Sequence, residues 1–488
     1  MIKLIKNELF KIFHKKSIYV LAGIMLAFVI LNNIVYKVFY DDNSNYISQT
    51  LNDSSWEIDY YSEELKNLDI NKESDKEEYI SCKTSYDIAV LHSSYQIGTW
   101  QYNIIDTRLY DIIYNINYYT YIEKNDKILK EYQDKYDYYI NSFENNNFKV
   151  FIKEELDSTQ KEIDTLEKEK KTITSTKRLK EIEDSLNILY IKKEMINYRI
   201  SNDVPYSNSY LNTAIEDYID TYTYLNSTTV DSLSYNEKIE YNNNLSKNAT
   251  SKYIIDNKID LNQENTVRNN LQCIFNSYEI LIVILIIIIS GTIISNEFNK
   301  GTIKNLLIRP YKRSTIFISK YISSFIILIL SIIYLVSLEL IVGGILFGLD
   351  SLNIPIVVYN FTTSSLVEYN IFTYLGILIL AKMPLLILIM TLSITLSTIT
   401  LNSPISIAVP ILGYTFSGII GSLAMSFDLK WMKYFPTMNW DLTEYLFGGL
   451  PAFQYTSLSH AIIISIIYFA IMFTLSIIVF NKKNIKNI

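Results

Sequence analysis

Hydrophobic residues in this chain gather into six long runs, and the widest polar stretch lies between the first and the second of them. The runs at 17–40, 278–295, 316–347, 372–399, 404–425 and 459–480 each have the length at which a helix crosses a bilayer, roughly 17–25 residues or more. Ahead of them, Ile2, Ile5, Leu9, Ile12 and Phe13 recur on one helical face while Lys3, Lys6, Lys11, His14 and Lys15 lie elsewhere. That pattern predicts an amphipathic helix over 1–16 lying in the membrane interface. The first run begins basic and then apolar, as a secretory leader does, but continues into Asn32, Asn33, Ile34, Val35, Tyr36 and Lys37 with no small-residue cleavage site. It therefore predicts a retained anchor. The expected fold class is an all-α polytopic membrane protein: six transmembrane helices, with a large, mainly helical extracellular domain inserted between the first and second.

The block at 41–276 holds only Gly98 and Pro205 as strong breakers, which points to helices. Leu179, Ile182, Leu186, Leu189, Ile196 and Ile200 form a heptad-like series, preceded by Ile152, Leu156, Ile163, Leu166 and Ile173. These predict a coiled-coil hairpin over about 148–201, turning at Thr172–Thr176. Tyrosine-rich segments at Tyr110–Tyr121 and Tyr132–Tyr139 fit packing with wet hydroxyls, and leave open a stacking platform for a sugar or peptide. The segment 348–371 reads as an outer loop and Thr400–Ser403 as a tight inner turn. The stretch 427–458 is too apolar for a plain loop and too broken for a span. Its Trp431, Tyr434, Phe435 and Trp440 mark a membrane interface, punctuated by Pro436, Gly448, Gly449 and Pro451.

Charge sharpens this division. Residues 41–276 carry 26 Lys+Arg against 42 Asp+Glu, a net of −16, whereas the remainder carries 18 against 9, a net of +9; together they give the chain's −7. An acidic soluble block is thus joined to a basic membrane part. Lys3 to Lys16, Lys300 to Arg313 and Lys482 to Lys486 all fall on one side of a six-span arrangement, and 348–371 has no Lys or Arg. The positive-inside bias then puts both ends, including the tail 481–488, in the cytoplasm and 41–276 outside. No basic stripe marks a nucleic-acid partner. Cys82 and Cys273 could form one long-range disulfide in an outer domain, and the three histidines are too scattered for a metal cluster.

The loop 296–315 is densely basic, with Lys300, Lys304, Arg309, Lys312 and Arg313. Within it Ile303, Leu306, Leu307 and Ile308 recur at helical spacing before Pro310, which predicts a short amphipathic helix. Amphipathicity alone leaves open whether lipid or protein covers it. The order Glu297, Gly301-Thr302, Leu306-Leu307, Pro310, Arg313 and then Lys320 closely resembles the loop between the second and third spans of ABC-2 type transporter permeases. The six-span layout extends that resemblance, and 427–458 looks like the short re-entrant helices before the family's sixth span. The resemblance implies that Glu297, Gly301, Thr302, Ile303, Lys304, Leu306, Leu307, Pro310 and Arg313 form a coupling site for a separate cytoplasmic ABC ATP-binding subunit. It further implies a dimer with a second copy or a related permease, in contact with membrane lipids. ATP and Mg2+ would be held by the partner ATPase and no cofactor by this chain.

Two charges stand at similar depth within spans, Glu339 and Lys382. A lone charge at mid-span costs roughly 2.5–3.5 kcal/mol on insertion scales, which favours an ion pair between them. No glycine is followed by lysine, so the phosphate-cradling loop of P-loop ATPases is missing, and neither a Gly-x-Ser-x-Gly nor a His-Glu-x-x-His sequence occurs. The expected function is therefore that of a non-enzymatic permease subunit of an exporter in the plasma membrane of a low-GC, Gram-positive bacterium. Its cargo would be amphipathic, peptidic (antimicrobial-peptide or bacteriocin-like) or envelope material. The alternative is a receptor or envelope-interaction protein whose outer domain binds a ligand without transport.

Overall fold

The computed structural model describes residues 1–40, 55–304 and 311–483. The chain divides into two compact units, one made of Met1–Lys37 with Gln263–Ile488 and the other of Val38–Asn262. The first holds, among the described residues, six helices long and apolar enough to cross a membrane: Lys16–Val38, Ile274–Asn299, Arg313–Phe347, Ile371–Thr400, Ser403–Ser426 and Leu458–Lys482. We refer to them as the first to sixth spans. The chain is a membrane protein built of transmembrane helices.

The second and fourth spans are the most buried, and the first, fifth and sixth turn most of their apolar surface outward. Small residues let the central helices approach, which matters in lipid, where apolar burial does not itself drive helix association. Ser393 Oγ donates to the backbone oxygen of Ser406 at 2.8 Å and lies 3.1 Å from that of Ile287. The Ser295 N–H donates to Ser397 Oγ at 3.0 Å, and Ser295 and Ser403 hydroxyls meet at 2.7 Å. Leu401, at φ 54°, stops the fourth span in the left-handed region, and Asn402 caps the fifth by accepting from the Ile405 N–H. The fifth span is broken at Phe416 into Ser403–Thr415 and Ser417–Ser426.

Two connections differ from their sequence reading. The outer loop contains an antiparallel hairpin, Ile356–Asn360 with Ser365–Tyr369, in which Ile356 faces Tyr369. Its continuous apolar, β-branched and aromatic run Ile356-Val357-Val358-Tyr359 was a strand signal short enough to pass as loop. The stretch 427–458 contains short 3-10 turns, Lys430–Tyr434, Pro436–Met438 and Thr443–Gly448, in place of re-entrant α-helices. Pro436 separates the first turn from the second, and Gly448 with Gly449 ends the third, before a longer helix can nucleate.

In the second unit, Lys149–Thr172 and Thr176–Asn202 form the antiparallel hairpin, with Ile163, Ile182, Leu186 and Leu189 as its seam. Trp100, Ile105, Leu109, Phe143 and Phe151 form a separate aromatic and aliphatic core. A capping box, Ser234 with Glu237, starts the helix Tyr235–Asn257, which packs along Tyr210–Ser227. The unit ends at Asn262, short of the 276 that the polar composition suggests. Residues beyond it belong to the membrane unit: Val267 and Leu271 are buried there, and Arg268 donates to the backbone oxygens of Ile354 and Pro355. Cys82 and Cys273 are both free thiols, so the long-range disulfide is not formed.

At Gly291 a Cβ would lie 2.9 Å from both Ser393 Oγ and the Ser406 backbone oxygen, whereas at Gly23 nothing lies within 4 Å. Gly291→Val should destabilise the detergent-solubilised protein by about 1–3 kcal/mol, read as a lowered thermal midpoint, while Gly23→Val leaves the midpoint in place.

Candidate functional site

Charges inside an apolar bundle are expensive, so their arrangement locates the working parts of the membrane unit. Four of them close a ring at the end that carries the N-terminal helix Ile2–Phe13 and the loop after the second span. Lys320 of the third span is fully buried, with Nζ 2.8 Å from Glu8 Oε2 and 2.6 Å from Glu297 Oε2. Lys11 completes the ring, 3.1 Å from Glu8 Oε1 and 2.8 Å from Glu297 Oε1. Two cations and two carboxylates thus share their partners alternately, and the buried charge sums to zero. Burial pushes the Glu8 carboxyl up, but Lys320 and then Lys11 outweigh it and hold it below the ordinary carboxylate range. Burial likewise pulls Lys11 down, and Glu297 with Glu8 more than restores it, leaving it raised.

The ring also decides which face of the N-terminal helix packs inward. Leu4, Glu8 and Ile12 are its buried residues, while Ile2, 82% exposed, and Phe13 of the predicted interfacial face stay turned outward. A carboxylate with a buried lysine opposite it governs that orientation.

The predicted coupling residues divide. Helix Ser295–Asn299 ends where Gly301, at φ +68°, enters the left-handed region that a side chain disfavours. The Thr302 hydroxyl turns back to the Glu297 backbone oxygen at 3.4 Å. Ile303 is fully buried in the same core as Phe298 and Phe480, so it anchors the loop from within and offers no face to a partner. Lys304 is exposed. Leu306, Leu307, Ile308 and Pro310 lie outside the described residues. Arg313 donates through one guanidinium nitrogen to the backbone oxygens of Asn481 at 3.0 Å and Lys483 at 2.9 Å, capping the sixth span. Glu297 and Arg313, expected to flank a partner's docking site, are thus both engaged within the chain.

The expected Glu339–Lys382 ion pair does not form. Lys382 Nζ sits 2.7 Å from Glu279 Oε2 and 2.6 Å from Asp441 Oδ2. Glu279 also accepts from the Tyr414 hydroxyl at 2.8 Å. Asp441 is brought to Lys382 because the Leu442 N–H donates to the Ala381 backbone oxygen, which ties the broken segment to the fourth span. Glu339, fully buried, instead accepts from Asn270 at 2.9 Å and Asn33 at 3.1 Å, and Tyr278 also hydrogen-bonds it. A carboxylate from the second span outcompetes one from the third for the lysine, because Glu279 and Asp441 can both reach it. Among the interfacial aromatics, Trp431, Tyr434 and Phe435 are exposed, but Trp440 is buried in the bundle core.

Sequence reasoning missed Glu8, Lys11, Glu279 and Asp441 as partners. The signals were present: Glu8 is the one acid among residues 1–40, and Glu279 and Lys320 are charges inside apolar runs. Among the described residues no cluster of His, Cys, Asp and Glu is placed to hold a metal ion. The arrangement offers no nucleophile beside a base. What it can do is hold helices together and pass displacement between them.

The profile of a family of proteins of unknown function, DUF2705, matches residues 239–486. The uncharacterized protein YhcI of Bacillus subtilis (strain 168) is 29% identical over 214 residues, covering 43% of this chain and 67% of that protein. The uncharacterized membrane protein YdbK of the same organism is 30% identical over 180 residues, covering 36% and 67%. No solved structure matches.

Lys320→Met would leave two buried carboxylates facing each other. It should cost about 3–5 kcal/mol of stability in thermal unfolding, whereas Lys11→Met, at a half-exposed position, should cost less than about 1 kcal/mol. The pH dependence follows from the shifts. The contribution of Glu8 is complete above the ordinary carboxylate range and is lost as pH falls through its depressed value. That of Lys11 is complete below the ordinary lysine value and lost as pH rises through its raised one. A spin label at exposed position 10 should therefore stay immobile through neutral pH and become mobile first on acidification below the glutamate range.

Proposed function

We propose that this chain, which belongs to the DUF2705 family, is the membrane-spanning subunit of an ABC-2 type exporter that draws its energy from a separate cytoplasmic ATPase. The carrying observation is how the loop between the second and third spans is mounted. Its entry is held by the Glu8–Lys11–Glu297–Lys320 ring and by buried Ile303, and its exit by the Arg313 cap on the sixth span. Displacement of the loop's two described ends would be passed to the N-terminal helix and to the second, third and sixth spans. A two-state element biased by a distant ligand needs that kind of connection. The order of residues from Glu297 to Lys320 supports the same conclusion, as does the lack of a nucleotide-cradling sequence in this chain.

In this scheme both termini and the loop are cytoplasmic and the acidic unit is extracellular, following the distribution of Lys and Arg. The protein acts as a dimer in the plasma membrane. The ATPase closes on ATP and Mg2+ and pushes the loop, and the spans reorient around a cargo that is amphipathic, peptidic or derived from the envelope.

Leu306→Asp with Leu307→Asp should abolish co-purification of an ATPase subunit from the native membrane while leaving insertion intact. Retention of the ATPase by that variant, or cysteine labelling of position 306 from the outside of whole cells, would overturn the proposal.

A further inference from the structure

The second unit carries a cleft of about 590 Å³, within the range typical of small-molecule sites, that neither the family match nor the transport scheme employs. It lies beside the turn Ile105–Leu109, the loop before Tyr210 and the helix Lys149–Thr172, and its walls are mainly polar. Buried contacts fix those walls. Arg199, 3% exposed, lies 4.6 Å from the centre of the Tyr206 ring and donates to Asn212 Oδ1 at 2.5 Å. Asn212 in turn donates to Glu216 at 2.9 Å, and the Tyr206 hydroxyl donates to Glu155. Asn103 is held by donating to the Tyr206 backbone oxygen at 2.8 Å and Asn208 Oδ1 at 3.1 Å. The ring of buried His92 stacks on lining residue Tyr102 at 4.3 Å, with an Nε2 that lacks a hydrogen-bond partner and lies 3.6 Å from Asp106.

The uncommitted groups decide what fits. Arg108 makes no ion pair within 4 Å among the described residues and acts only at longer range on Glu155, while Asp106 and Glu216 line the cleft with only the longer contacts to His92 at 3.6 Å and Arg199 at 3.9 Å as ion pairs. Arg108 opposes a simple cation, and the carboxylates oppose a simple anion. An apolar or amphipathic ligand would strand every polar group of the lining. Neutral hydroxyls both donate and accept, so a polyol can satisfy planar carboxylates, amides and a guanidinium together. Tyr102, stacked on His92, and Tyr206, against Arg199, both line the cleft, and an aromatic ring is the surface a sugar ring packs on. We propose that this cleft is a carbohydrate-binding site for a neutral oligosaccharide. It is independent of the transport scheme and gives the acidic unit a recognition role of its own.

The test uses the full-length protein in nanodiscs, titrated calorimetrically with chito-, manno- and galacto-oligosaccharides of two to four units and with trilysine and triglutamate peptides. At least one oligosaccharide should bind, with neither peptide competing. Arg108→Ala and Asp106→Ala should each weaken that binding at least tenfold with circular dichroism unchanged, and Glu216→Gln, on the exposed rim, serves the same comparison should either fail to fold. Failure of every oligosaccharide to bind, competition by trilysine, or equal affinity in the variants would overturn the assignment.

Discussion

A buried ammonium group with two carboxylates in reach is the constraint from which the membrane unit is arranged. Lys320 lies inside an apolar helix, where an unpaired charge would be driven out or neutralised. Glu8 and Glu297 meet it, and two carboxylates around one lysine would repel each other if Lys11 did not bridge them on the other side. Such a ring adds little net stability over apolar packing, since desolvation consumes most of the attraction. Its consequence is geometric. One arrangement of the N-terminal helix, the end of the second span and the start of the third satisfies all four charges, and others leave one buried alone.

The far end of the bundle follows the same logic with different groups. Lys382 is shared by Glu279 and Asp441, so the fourth span, the second span and the broken segment after the fifth are fastened at one point. Glu339 is satisfied by neutral donors, Asn33, Asn270 and Tyr278, which join the first, second and third spans and the short helix Val267–Gln272. The second span therefore carries a charged contact near each end and is, with the fourth, the most buried of the six. The fifth and sixth spans, with mostly outward-facing apolar surface, have fewer such ties.

The second unit is built on other terms. It has ordinary apolar seams, such as Ile163 against Ile182 and Leu186, and an aromatic core around Trp100 and Phe143, with its polar chemistry displayed at the surface. Buried Arg199 is its nearest counterpart to Lys320, but it pairs with an amide and a tyrosine ring and serves to position a wall of the cleft.

Local pattern was enough for the helices. Six apolar runs and the heptad-like series of the hairpin depend on neighbours within a few residues, and sequence encodes these directly. What depends on partners distant in the chain was not legible. Glu339 and Lys382 stand at matching depth, yet rotation of their helices gives each a different partner. Glu8 pairs with Lys320, 312 residues away, which nothing in the pattern of its own helix announces. Trp440 looks interfacial by composition and is buried because the Leu442 N–H fastens its segment to the fourth span. Sequence determined which residues are helical and which charges must find company. Only the tertiary structure decided which company they keep, because buried charges choose among all partners within a few ångströms, and that neighbourhood exists only once the helices have packed.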